Sequence, residues 1–201
     1  KDYGNARGLE LIFDYIDGPL SLVANYTYQH TKGIADSPTT SFSREGANQD
    51  PITRLLPLSW DQRHTFNFTL GYNIEKYGFT ASAYFNSGTA FSFVPISTNS
   101  LAAINLEPNN AYKPTNYLVN LSSYFNLPAI NARITFEIYN LFDTLNEYGV
   151  NNQTGRAYSA ILNESSASSF RNNYTTIEDT YQDPSFYGAP RSIKVGIDFR
   201  Y

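Results

Sequence analysis

The stretch from Arg191 to Tyr201 constrains the fold more than any other part of the chain. Ile193, Val195, Ile197, Phe199 and Tyr201 alternate with Ser192, Lys194, Gly196, Asp198 and Arg200. One set is apolar and the other polar or small. Strict alternation puts the two sets on opposite faces of a strand, so its faces meet different surroundings. Termini usually fray, and a soluble domain seldom ends on its most apolar strand. An outer-membrane barrel does end this way, with an aromatic residue closing the wall.

Six further segments alternate in the same manner. They are predicted as strands over about 5–16, 20–31, 62–73, 78–88, 116–127 and 132–142. In the first, Leu9, Leu11, Phe13 and Tyr15 oppose Gly8, Glu10 and Asp14. In the third, Phe66, Phe68, Leu70 and Tyr72 oppose Thr65, Asn67, Thr69 and Gly71. Eleven residues at about 3.3 Å each, tilted by about 40°, rise roughly 28 Å, near the apolar band of an outer-membrane barrel.

The connections alternate as well. Short ones fall near 17–19, 74–77 and 128–131. Long ones span about 32–61, 89–115 and 143–190. Short turns at one end and long loops at the other are the arrangement of a transmembrane up-and-down barrel, with periplasmic turns and extracellular loops. Strand parity then puts Tyr201 on the periplasmic side. The third long connection is rich in Asn, Ser and Tyr, carries six carboxylates against two arginines, and is expected to be surface-exposed.

Composition agrees. Aromatic residues make up 16% of the chain, with 17 Tyr and 14 Phe, the residues that form interfacial girdles. The chain has no Cys, which removes disulfides and thiol chemistry. Net charge is −4 and the basic residues are scattered, which disfavours nucleic acid as a partner. The mean hydropathy is negative, but a barrel carries its apolar residues at every second strand position and has polar loops. No apolar run reaches the length of a membrane-spanning helix.

Seven strands leave two open edges, and unpaired edges are not tolerated in lipid. The chain is therefore expected to be the C-terminal part of one larger barrel domain, spanning residues 1–201, with the remaining strands upstream or in another chain. A leader peptide is expected to lie upstream or to have been removed.

Several short motifs fall in a recurring order. Asn5-Ala6-Arg7-Gly8-Leu9-Glu10 opens the first strand, and Asp61-Gln62-Arg63-His64 opens the third. Tyr139-Asn140-Leu141-Phe142-Asp143 closes the sixth. Thr154-Gly155-Arg156 and the terminal strand follow. Together they resemble the TonB-dependent outer-membrane receptors over nearly the whole chain. The Asp-Gln-Arg-His form leans toward the branch that begins with a carboxypeptidase-regulatory-like domain. The resemblance implies a 22-stranded barrel, a plug domain absent from this chain, and uptake of a scarce nutrient such as a siderophore, a vitamin or an oligomer. The implied partners are outer-membrane lipid, the missing plug and strands, the TonB complex through that plug, and the barrel-assembly machinery. The machinery would read Ile197, Phe199 and Tyr201; the plainer reading of these residues is packing against lipid. The motif residues carried over are Arg7, Gly8, Glu10, Asp61, Arg63, His64, Asn140, Leu141 and Phe142. A surface barrel with a structural or adhesive role and no transport is the alternative, and a soluble sandwich or small barrel a third.

The other candidate groups have plain expectations. His30 and His64 are the only histidines and are expected to be hydrogen-bonded or interfacial rather than metal ligands. Arg133, Glu137, Lys194, Asp198 and Arg200 fall on polar faces, as a hydrated inner wall with neighbouring ion pairs. Asp36, Glu45, Asp50, Glu164, Glu178, Asp179 and Asp183 are expected to be solvated, with no spacing that fits a calcium loop. Asn25-Tyr26-Thr27 and Asn120-Leu121-Ser122 lie in predicted strands, where a glycosylation reading fails. There is no catalytic constellation and no expected cofactor.

Overall fold

The computed structural model describes residues 3–96, 106–158 and 182–199. The alternating segments form one antiparallel sheet. Its strands are β1 (Gly4–Asp17), β2 (Leu20–Gly33), β4 (His64–Asn73), β5 (Tyr77–Asn86), β8 (Asn116–Leu127), β9 (Ala132–Tyr139) and β10 (Ser192–Phe199). They lie side by side in that order, each paired with the next, so the sheet is up-and-down. A two-residue strand, β3 (Leu56–Pro57), adds to the C-terminal end of β2. Among the described residues β1 and β10 each have one neighbour, and the sheet is not closed.

The turns at one end are tight for local reasons. Gly18 adopts a φ of +53°, which glycine reaches without strain, and Pro19 follows it. Pro128–Ile130 form a single 3-10 turn ended by Asn131 at a φ of +48°, a left-handed position that Asn tolerates. Gly8 is needed for another reason: a Cβ there would run into the backbone oxygen of Tyr28 on β2.

Register makes the sheet two-faced. Leu9, Leu11, Phe13 and Tyr15 of β1 stand opposite Tyr28, Tyr26, Ala24 and Leu22 of β2. Those stand opposite His64, Phe66, Phe68 and Leu70 of β4. The row continues through Phe85, Ala83 and Ala81 of β5 to Tyr117, Val119 and Leu121 of β8. It ends with Ile138, Phe136 and Ile134 of β9 against Ile193, Val195 and Ile197 of β10. Directly paired residues share a face, so these side chains form one apolar surface across the sheet. Ser123 is a polar interruption in its interior. Aromatic residues gather toward both ends: Tyr72, Tyr77 and Phe79 cluster near the short turns, and Tyr26 and Tyr28 stack around His64 near the long loops.

The opposite face carries mainly Thr, Ser, Asn, Gly and charged residues. Ile12, Ile16 and Val23 depart from this at the β1–β2 edge. Among the described residues nothing covers the apolar face: Leu9 is 55% exposed, Val195 68% and Ile197 60%. Buried apolar side chains among the described residues are instead Leu58, Ala90, Phe91 and Ala157 in the long connections, and Ala132 at a strand start.

Two expectations for the sheet need correction. The sixth strand stops at Tyr139 instead of Phe142, because Asn140 takes a left-handed φ of +55° and turns the chain. The charges on the polar face of β9 and β10 do not form ion pairs among the described residues. The register sets Glu137 opposite Lys194 and Arg133 opposite Asp198. Arg133 nevertheless donates to Asn126 Oδ1 at 2.8 Å and lies over the Tyr124 ring at 4.7 Å. Aromatic and amide partners on β8 hold the guanidinium instead.

Candidate binding surface at the long-loop end

All three long connections leave from the same end of the sheet. The first contains a short helix, α1 (Thr40–Gly46), then β3. The second pairs β6 (Ala90–Phe91) with β7 (Ala111–Tyr112). The third contains a 3-10 turn at Pro184–Phe186. None of these pieces shows periodicity in the sequence. They are held by polar side chains that reach between connections.

Asp61 is the centre of the first clasp and has no exposed surface. Its Oδ1 accepts from the Thr31 N–H at 2.6 Å. Its Oδ2 accepts from Arg63 Nε at 2.8 Å and from the Tyr112 hydroxyl. Arg63 also donates to the Tyr112 oxygen at 2.9 Å and bonds the His30 ring. The end of β2, the Asp-Gln-Arg-His motif and β7 are thereby tied at one point. Burial alone would push the Asp61 carboxyl up. The donors Tyr112, Thr31 and Arg63 outweigh it and hold the carboxyl below the usual range. Burial, with the hydrogen bond to Asp61, pushes the Tyr112 phenol up.

Glu147 makes the second clasp, inside the third connection. Arg156 grips its carboxylate at 3.0 Å and 3.1 Å through Nε, with a further bond from Nη2. The Ala157 N–H donates to it at 2.6 Å. Burial would raise this carboxyl also, but Arg156 and the Ala157 N–H hold it below the usual range.

Asparagines complete the framework. The Asn146 amide bonds both N–H and C=O of Tyr117, extending the ladder of β8 by one step. Asn110 does the same for Phe93. Asn140, 1% exposed, accepts from Thr144 N–H and donates to the carbonyls of Thr144 and Ala189. Asp143 Oδ1 then accepts from the Arg191 N–H at 2.8 Å. These groups satisfy loop backbone that would otherwise be buried unpaired.

The motif residues therefore fall into two constellations. Asp61, Arg63 and His64 meet His30, Tyr112 and the end of β2. Asn140, with Asp143, joins the two ends of the third connection, while Phe142 is 64% exposed and Leu141 donates its N–H to Val119. Arg7 lies on the apolar face opposite His30, and Gly8 and Glu10 lie on the polar face opposite Gln29 and Thr27. Ile197 and Phe199 lie on the apolar face of β10. Tyr201, Arg200, Glu164, Glu178 and Asp179 lie outside the described residues.

His64 bonds the Tyr26 hydroxyl at 2.8 Å and His30 the Tyr28 hydroxyl. Asp36 departs from the solvated expectation: it accepts from Ser59 N–H at 2.8 Å and Asn109 Nδ2 at 2.7 Å, joining the first and second connections. Asp183 caps its 3-10 turn through Ser185. Tyr112, Asn109, Asn146 and Glu147 carry no motif, and sequence reasoning missed them. Only the Tyr and Asn richness of the connections pointed their way.

Between these clasps lies an open cleft of about 530 Å³, lined by Tyr112, Thr115, Tyr117, Leu145, Glu147 and Arg156. Its walls offer aromatic surface for stacking beside a charged pair whose polar groups are already engaged with each other. Such a lining suits recognition by stacking and hydrogen bonding. Comparison with protein-family models, curated proteins and solved structures finds no match to this chain.

Proposed function

We propose that the chain is a C-terminal section of the barrel of a TonB-dependent outer-membrane receptor. It supplies wall, lumen lining and three late extracellular loops for energy-driven uptake of a scarce nutrient, an iron chelate, a vitamin or an oligomer. The apolar face meets lipid, and the polar face meets the lumen and a plug carried by another part of the receptor. TonB acts through that plug. The assembly machinery reads the end of β10. The short turns are periplasmic and the clasped loops extracellular, so the cleft beside Tyr112 and Arg156 is open to arriving ligand.

One observation carries this reading. A seven-strand antiparallel sheet presents a face made mainly of Leu, Ile, Val, Ala and aromatic side chains, interrupted at Ser123, and none of the described residues forms a layer against it. Monomeric soluble proteins rarely leave so large an apolar surface bare. Strands of 14 residues, as in β1 and β2, also exceed ordinary soluble strands of about five or six. The motif resemblance supplies the transport class.

Two measurements test it. The full-length protein should remain in alkali-washed outer membranes, extract only with detergent, and migrate faster unheated than boiled in denaturing gels. Cells lacking TonB should lose the growth advantage that the receptor confers on its nutrient. Recovery in the aqueous fraction refutes the membrane reading. A membrane-embedded protein whose loss has no nutrient phenotype favours a structural or adhesive barrel.

A further inference from the structure

The apolar face changes character at the long-loop end of β1 and β2. Two residues beyond Leu9, the same face carries Arg7 opposite His30, and two beyond that Asn5 opposite Lys32. Arg7, His30, Lys32, Asn5 and Leu55 line one shallow hollow of about 390 Å³. Arg7 and Lys32 are exposed, and neither enters an ion pair among the described residues. Between Asn5 and Tyr15, and between Leu20 and Lys32, this face carries no carboxylate. The nearby carboxylate of Asp61 is already engaged by Arg63, Thr31 and Tyr112. His30 is held in place by Arg63 and Tyr28, so the hollow has a fixed floor between two free cations.

The placement is specific. Beneath the cations are Leu9, 55% exposed, Tyr28, and then Leu11 and Tyr26. A positive hollow directly above bare apolar and aromatic surface matches a molecule with an anionic head and hydrocarbon tails. Resting on the barrel reading above, we propose that Arg7 and Lys32 bind the phosphate of a lipid headgroup in the outer leaflet, its acyl chains lying along Leu9, Leu11 and Tyr28. Guanidinium and ammonium donors give charge-assisted hydrogen bonds to phosphate oxygens, and neighbouring cations on a membrane surface add to the attraction. The aromatic rings beneath sit at the depth where the headgroup meets the chains.

The test uses full-length protein, purified in a nonionic detergent and delipidated, with lipid binding followed by native mass spectrometry. The probes are phosphatidic acid, the diacylglycerol with the same chains, and inorganic phosphate. Phosphatidic acid should bind and diacylglycerol should not hold. Arg7→Gln with Lys32→Gln should weaken phosphatidic acid binding about thirtyfold, and each single substitution about fivefold. Lys194→Gln, on the polar face of β10, should leave it unchanged. Inorganic phosphate at matched concentration should not displace the lipid.

Heat-modifiable migration first establishes that each variant folds; should the double variant fail, the single substitutions carry the comparison. Equal binding by wild type and folded variants overturns the site, as does loss of lipid to inorganic phosphate, which would mark a free-anion site. Those outcomes leave the protein in the membrane fraction. Recovery of wild type in the aqueous fraction instead refutes the barrel reading on which the site rests.

Discussion

The phenol of Tyr112 donates a 2.5 Å hydrogen bond to Oδ2 of Asp61, a carboxylate with no exposed surface. The two residues are 51 positions apart and belong to different long connections. Asp61 also holds Thr31 and Arg63, so one carboxylate fixes the relative positions of β2, the start of β4 and β7. Asp61→Ala leaves the Arg63 guanidinium without its counter-ion and two donors without an acceptor. The expected cost is about 3 kcal/mol. Tyr112→Phe removes one donor and should cost about 1–2 kcal/mol. Denaturant titration of the folded protein measures both, and limited proteolysis should show cleavage of the first and second connections before the strands open.

The same clasps set a pH dependence. Asp61 and Glu147 are both held below the ordinary carboxylate range in the folded protein. Their stabilisation is therefore fully present above the unfolded carboxylate value of about 4 and is lost as pH falls through the lower folded values. Tyr112 is shifted upward, so its contribution is whole below about 10 and is lost as pH rises through the folded value. Loop protection against an acid-tolerant protease should stay level from neutral pH to about 5 and fall below about 4. Asp61→Asn should flatten that fall. An unchanged acid profile in this variant would remove Asp61 as the cause.

Asn140 combines a left-handed backbone with four hydrogen bonds, three from its side chain to neighbouring backbone and one from its own N–H to a side chain. The N–H bond goes to Asn120 Oδ1, and a substitution at 140 leaves that donor intact. Asn140→Gly keeps the conformation and loses only the side-chain bonds. Asn140→Ala loses the same bonds and also pays left-handed strain of about 1–2 kcal/mol. The alanine variant should be less stable than the glycine variant by about that amount in denaturant titrations. Equal stabilities would mean that the turn relaxes and that the φ of Asn140 is not what stops β9.

On the proposed barrel reading the two faces of the sheet are not interchangeable. Ala83 and Ser82 are neighbours on β5, one on the apolar face and one on the polar face. Ala83→Arg should cost about 2–4 kcal/mol in a bilayer and reduce the heat-modifiable folded fraction. Ser82→Arg should be tolerated. The opposite ranking would put water on the face read here as lipid-facing.

The sheet was legible in the sequence because alternation is a local property. Seven predicted segments match β1, β2, β4, β5, β8, β9 and β10, with no end displaced by more than three residues. The largest displacement, at β9, arises where Asn140 reverses the backbone, and Asn at a strand end gives no warning of its φ. The connections were not legible, because their order is non-local. Asp36 meets Asn109 across 73 positions, and Asp61 meets Tyr112 across 51. Residue types in a polar stretch do not say which partner folding will bring near. The Asp-Gln-Arg-His motif did locate one clasp, through Asp61 and Arg63, but nothing pointed to Glu147 and Arg156. Arg133, Glu137, Lys194 and Asp198 lie on the polar face as expected but without the expected ion pairs, since Tyr124 and Asn126 reach Arg133 ahead of the carboxylate of Asp198.

The bond from Arg191 to Asp143 closes a ring of chain 48 positions around, and Asn140 draws the same ring shut through Ala189. A loop pinched at its neck transmits little of its length or composition to the strands on which it stands. Residues can be inserted, deleted or exchanged beyond the neck while β9 and β10 keep their register. The third connection is in this sense a cassette: its sequence can change without the sheet having to solve its folding problem again.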